Sequence, residues 1–134
     1  MNKIKKIGKR EEGQSLVEFA LVLPILLLLI VAIVDFGWVF MAKITVNNAA
    51  REGARVYAVN IDKSIATTAA NDAMSFIPMT KTVVVDKKPM GTTPPEYEAY
   101  VKITGSLKPL VGLFLPSSIE ISSESYMKIE YDIK

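Results

Sequence analysis

The chain has 134 residues, room for one small domain, and half of them are apolar. Its formal net charge of +2 is unevenly placed: residues 1–13 carry Lys3, Lys5, Lys6, Lys9 and Arg10 against Glu11 and Glu12, and the remaining 121 residues sum to −1. No basic domain is present to grip nucleic acid. The sequence also lacks Cys and His. That removes disulfides, thiolate chemistry, the commonest general base and the commonest metal ligand, and points away from an enzyme, a cofactor or a bound metal.

Residues 1–13 read as a charged leader that ends at Gly13. Gln14, Ser15, Leu16 and Val17 follow, then a lone carboxylate, Glu18, and Phe19. Residues 19–34 carry no polar side chain; Asp35 interrupts, and residues 36–42 are again uncharged. As a helix, residues 19–42 would reach roughly 36 Å, enough to cross a hydrocarbon core of ~30 Å. A chain this small cannot surround such a helix with its own side chains. Five basic residues precede the segment and only Lys43 closely follows it, so the positive-inside rule predicts a cytoplasmic N-terminus and an extracytoplasmic remainder. Trp38 and Phe40 suit the far interface, or packing on a neighbouring helix. A secretory signal peptide is disfavoured, because no small-x-small site closes the run and the helical pattern continues past it.

The junction admits two readings. Gly13 is a flexible hinge and Glu18 a first-turn carboxylate at a helix N-terminus, or the two act together. Together with the leader and the apolar helix they resemble the class III leader of type IV prepilins, in the form used by the tight-adherence (Flp) branch. The resemblance implies cleavage between Gly13 and Gln14 by a membrane prepilin peptidase. Glu18 then becomes the fifth mature residue, with Phe19 as the aromatic that often follows it. An α-amino group on Gln14 would lie one helical turn from Glu18, or meet it from a neighbouring subunit, and either pairing relieves an isolated charge in lipid. The run from Gly13 through Asp35 and Gly37, followed by the Ala49-Ala50-Arg51-Glu52-Gly53-Ala54-Arg55 segment, is similar to TadE-type pseudopilins. Major Flp pilins are usually much shorter after the junction, which favours a minor pilin or pseudopilin.

Past the membrane the helix is expected to continue over residues 43–58. Ala42, Val46, Ala49, Ala50, Gly53, Val56 and Tyr57 fall on one arc, with Lys43, Asn47, Asn48, Arg51, Glu52 and Arg55 opposite and Ile44 as the exception. Ala49, Ala50, Gly53 and Ala54 make this a small-residue face, suited to close packing on the chain's own sheet or on another subunit. Asp62 or Ser64 caps a second short helix that ends at Pro78, with Ile65, Ala69, Ala73 and Phe76 at helical spacing. A strand follows over residues 80–86, a turn over 87–95, and alternating strands over 96–104 and from Ile119 to Ile133. Residues 107–116, LKPLVGLFLP, are too apolar for a plain connection. They either plug the core under the sheet, or dip into the membrane surface or bind a partner.

The expected fold is therefore α+β. A leader (1–13) and a transmembrane helix (14–42) precede an extracytoplasmic head (43–134), in which the stalk helix covers a small antiparallel sheet of about three strands, the type IV pilin-like arrangement. The function the resemblance implies is assembly of a Flp-type pilus, with downstream adhesion. Its partners would be the prepilin peptidase, other pilins, the assembly machinery and membrane lipid. The alternative is an uncleaved, single-pass anchored binding module.

Overall fold

The computed structural model describes the backbone of residues 8–92 and 96–129, and the side chains from residue 13 onward within those ranges. Lys3, Lys5 and Lys6, the side chains of Lys9 and Arg10, and Ile133 of the expected last strand lie outside the described residues. So do residues 93–95 of the expected turn.

One helix, α1 (Gly8–Asn60), carries both the apolar run and the small-residue segment over 53 residues, about 80 Å at 1.5 Å per residue. It passes through Pro24 without a break. Proline there removes one backbone donor from the helix ladder. The helix ends where Ile61 turns left-handed at φ 54°, its N–H bonded to the Tyr57 carbonyl at 2.8 Å. A β-branched residue is costly in that conformation. The Ile61 side chain packs against the core, which offsets the cost.

α2 (Lys63–Asp72) follows at once. Its N-cap is Asp62, whose carboxylate accepts from the N–H groups of Ser64 and Ile65 at 2.7 and 3.2 Å. This decides between Asp62 and Ser64. Two other expectations about this helix are corrected. It stops at Asp72 and gives way to turns before Pro78. Its buried side chains are Ala66 and Ala70, continued by Met74 and Ile77, whereas Ile65 and Phe76 are exposed. Close approach decides the phase. A Cβ on Gly53 of α1 would sit 3.1 Å from the Ala70 Cβ and 3.5 Å from the Ala66 carbonyl, a gap that admits alanine and not isoleucine or phenylalanine.

The sheet is an antiparallel meander, ordered β1-β2-β3, of β1 (Met79–Pro89), β2 (Tyr97–Leu107) and β3 (Ile119–Lys128). β1 runs three residues beyond the expected strand, so Lys87, Lys88 and Pro89 are strand rather than turn. Proline is tolerated there because β1 is an edge strand and Pro89 its last residue. β2 likewise extends to Leu107, which is fully buried. The odd-numbered side chains Ala99, Val101, Ile103 and Ile121 face α1 and join Val46, Ala49, Ala50 and Ala54 in one core.

Gly105 is the tightest point in this layer. A Cβ there would meet Met79 Cε and would lie 2.7 Å from the Thr80 carbonyl oxygen. Met79 can swing aside, but the backbone oxygen cannot. Gly105→Val is expected to cost about 1–3 kcal/mol or more through overpacking. Thermal melting of the detergent-solubilised chain, followed by loss of strand signal, measures it.

The outer sheet face is polar and aromatic. The Tyr100 and Tyr126 rings are cross-strand partners 5.0 Å apart, and the Lys88 ammonium lies 3.5 Å above the Tyr100 ring. Lys102 pairs with Glu124 directly across the strands at 2.9 Å, and Lys63 joins α2 to β1 through Asp86 at 3.0 Å. The Lys63 hydrogen bond, helped by the Lys87 N–H, holds Asp86 below the usual aspartate range; the Lys102 hydrogen bond does the same for Glu124. A depressed carboxylate contributes stability above its unfolded value and loses it as pH falls through its folded value. Head stability should therefore be level from neutral pH to about pH 5 and decline below about pH 4. The pairs are exposed, so the decline should be shallow. Melting temperature against pH checks the sign.

Candidate functional site

The junction residues all lie on α1. Gly13, Gln14, Glu18 and Phe19 are exposed, and a Cβ on Gly13 would meet nothing within 4 Å. Gln14 and Glu18 are four residues apart on one helix, so their ends share a face. Gly13 is helical here rather than extended. A glycine weakens a helix interior by about 1 kcal/mol relative to alanine, so this is where the first turns open most cheaply.

From Gly13 to Ile30 no side chain is buried. Leu21, Ile25 and Leu29 on one side are 57–70 % exposed, and Leu23 and Leu27 on the opposite side are 37 and 53 % exposed. The helix is long and apolar enough to cross a membrane. Bare apolar surface on all sides is suited to lipid or to packing on other apolar helices.

At Asp35 the pattern changes. Its side chain is fully buried, and each carboxylate oxygen accepts one backbone N–H from the β2–β3 connection: Val111 at 2.8 Å and Gly112 at 2.9 Å. Gly112 adopts φ 71°, a left-handed conformation that lets two successive N–H groups converge on one carboxylate. One turn on, the Trp38 indole N–H donates to the Lys108 carbonyl at 3.3 Å. Val31, Ala32, Trp38 and Val39 are half-buried on the same stripe, while their neighbours on the other faces stay exposed. Residues 107–116 therefore do not plug the core. Leu107 alone is buried, and Leu110, Val111, Leu113 and Phe114 are 52–59 % exposed.

Further along α1, Ala49, Ala50 and Ala54 have no exposed surface, and Gly53 is pressed between Ala70 and Val101. The small-residue face is taken up by the chain's own α2 and sheet. Lys43 reaches across to donate to the Ser122 carbonyl on β3. Arg55 grips Glu52 through two hydrogen bonds, at 2.6 and 3.0 Å, on the solvent side. Among the described residues no group of three or more carboxylates is placed to hold a metal ion.

Junction, bare apolar helix, buried Asp35 and small-residue segment thus lie in line on one element. Residues 13–55 match the family model of TadE-like proteins. The TadE-like segment begins at the junction glycine and ends at Arg55. It contains Glu18, Asp35 and the Ala49–Ala54 packing positions, and it leaves α2 and the sheet outside. No curated protein and no solved structure matches the chain. The pairing of Asp35 with Val111 and Gly112 was not legible in the sequence. The available signal was chemical: a carboxylate inside an apolar helix requires donors, and the glycine of the apolar PLVG run supplies one of them.

Proposed function

We propose that the chain is a TadE-like minor pilin or pseudopilin that acts in assembly of a Flp-type pilus. The observation that carries this is the family match, which spans the junction, the bare apolar helix and the small-residue segment on one continuous helix. In this reading α1 holds the protein in the membrane with its N-terminus in the cytoplasm and the head outside. A prepilin peptidase removes the leader after Gly13. The bare surface of residues 14–30 then packs on the apolar helices of other pilins, exchanging lipid for protein.

The role is structural rather than catalytic. Cys and His are lacking, and Asp86, Glu96 and Glu124 of the head are engaged in exposed ion pairs with lysines. The head is folded against its own stalk, so what remains exposed is the polar aromatic face of the sheet, the apolar β2–β3 connection and the lower helix.

Immunoblotting in matched cells with and without the peptidase tests the reading. Loss of 13 of the 134 residues removes about a tenth of the 14.8 kDa chain. A peptidase-dependent shift of that size supports it. An unchanged mass supports instead the uncleaved, membrane-anchored binding module.

A further inference from the structure

We propose that the β2–β3 connection is a second membrane contact, seated with Leu110, Val111, Leu113 and Phe114 in the acyl-chain boundary of the leaflet on the head side. This rests on the reading of α1 as a membrane-spanning helix. The connection leaves the sheet at Leu107, returns at Ile119, and is closed at its neck by a 2.5 Å hydrogen bond between the Ser106 and Ser118 hydroxyls. Between those points it runs down α1. Lys108 is held at Trp38, and Val111 and Gly112 are held at Asp35, three helix residues lower. Direction along the chain is thus direction towards the membrane segment.

The level follows from helix geometry. A hydrocarbon core takes about 20 helical residues. Counted from Leu16 or from Phe19, its outer boundary falls near residue 36 or 39. Asp35 lies at or just inside that boundary, and the loop tip lies with it. The four apolar side chains are 52–59 % exposed, and they continue the bare apolar surface of α1 rather than facing the core. Lys108, at the upper end of the loop, stands where its ammonium reaches the headgroups. Asp35 then has a purpose beyond its own helix. It fixes the loop by its backbone and leaves the apolar side chains free to enter lipid.

The same surface would also be covered by a second copy of the chain, and the two are separable. The natural sequence has no cysteine, so single-cysteine variants carry one label each. Leu113→Cys, Phe114→Cys, Leu27→Cys and Met90→Cys are made in the full chain, labelled with a polarity-sensitive fluorophore and reconstituted in phosphatidylcholine–phosphatidylglycerol vesicles. Met90 marks the hairpin tip at the opposite end of β2, and Leu27 the middle of the apolar helix. The expected result is blue-shifted emission at 113 and 114, quenching by lipids spin-labelled near the headgroup, and iodide quenching several-fold weaker than at 90. Iodide access at 113 and 114 equal to that at 90, with 27 still deep, overturns the proposal. Protection of 113 and 114 from both iodide and lipid quenchers overturns it in favour of a protein cover. An aqueous label at 27 refutes the spanning helix itself, and the proposal falls with it.

Discussion

Gly13→Leu should leave the chain at full length in cells that carry a prepilin peptidase, while the unaltered chain is shortened. The structure supplies two reasons that act in the same direction. A peptidase must draw the substrate backbone out of the helix, and α1 is helical on both sides of Gly13. Glycine makes that turn the weakest, and leucine would strengthen it by about 1 kcal/mol. Leucine also brings a bulky side chain to the bond being cut, where glycine offers only backbone. In the folded chain the substitution is harmless, since a side chain at residue 13 would meet nothing within 4 Å. Expression and membrane insertion should therefore be unchanged, which separates blocked processing from misfolding.

Glu18→Ala should behave differently. Cleavage should proceed, because the alteration lies five residues beyond the scissile bond, but the shortened protein should fail to enter filaments. Once Gln14 carries a free amine, Glu18 is the carboxylate one turn away, and losing it leaves a cation without a partner in lipid. Normal shortening of Gly13→Leu would refute the assigned cleavage site. Filaments of normal yield from Glu18→Ala would refute the pairing.

The fold was legible wherever one periodicity dominated. The arc from Ala42 to Tyr57 projected to the buried face because small residues left a single consistent stripe, and the structure buries that stripe with Ile44 outside it, 45 % exposed. The alternation Tyr97, Ala99, Val101, Ile103 placed β2 correctly for the same reason. In α2 two stripes competed. Bulk favoured Ile65 and Phe76, yet the gap opposite Gly53 selected Ala66 and Ala70, a choice set by the partner surface rather than by α2 itself. Strand ends were missed where β1 runs on to Pro89 and β2 runs on through Gly105 to Leu107. At an edge-strand terminus and opposite a close backbone, Pro89 and Gly105 serve the strand. The junction is a local motif, and the TadE-like family match begins at its glycine. The Asp35 clamp was not legible, because its donors are backbone groups 76 and 77 residues away, and backbone groups leave no trace in side-chain patterns.

That clamp should release the β2–β3 connection when Asp35 is replaced. Two hydrogen bonds to a charged acceptor contribute about 1.5–3 kcal/mol each, so in Asp35→Leu the Val111 and Gly112 amides should exchange with solvent roughly a hundredfold faster or more. Global stability should change much less. Removing a buried charge recovers its desolvation cost, and the opened loop returns both amides to water or headgroups. Asp35→Asn should fall between the two. Its single carbonyl oxygen can satisfy one amide, while its NH₂ would face the other donor. Amide hydrogen exchange on the full chain in lipid nanodiscs resolves this order, with Ile103 in the middle of β2 as an internal reference that should not move. Equal protection in all three proteins would mean that contact with the half-buried stripe of Val31, Ala32 and Val39 holds the loop unaided. Graded release would mean that Asp35 fixes the β2–β3 connection to the apolar helix at a single height.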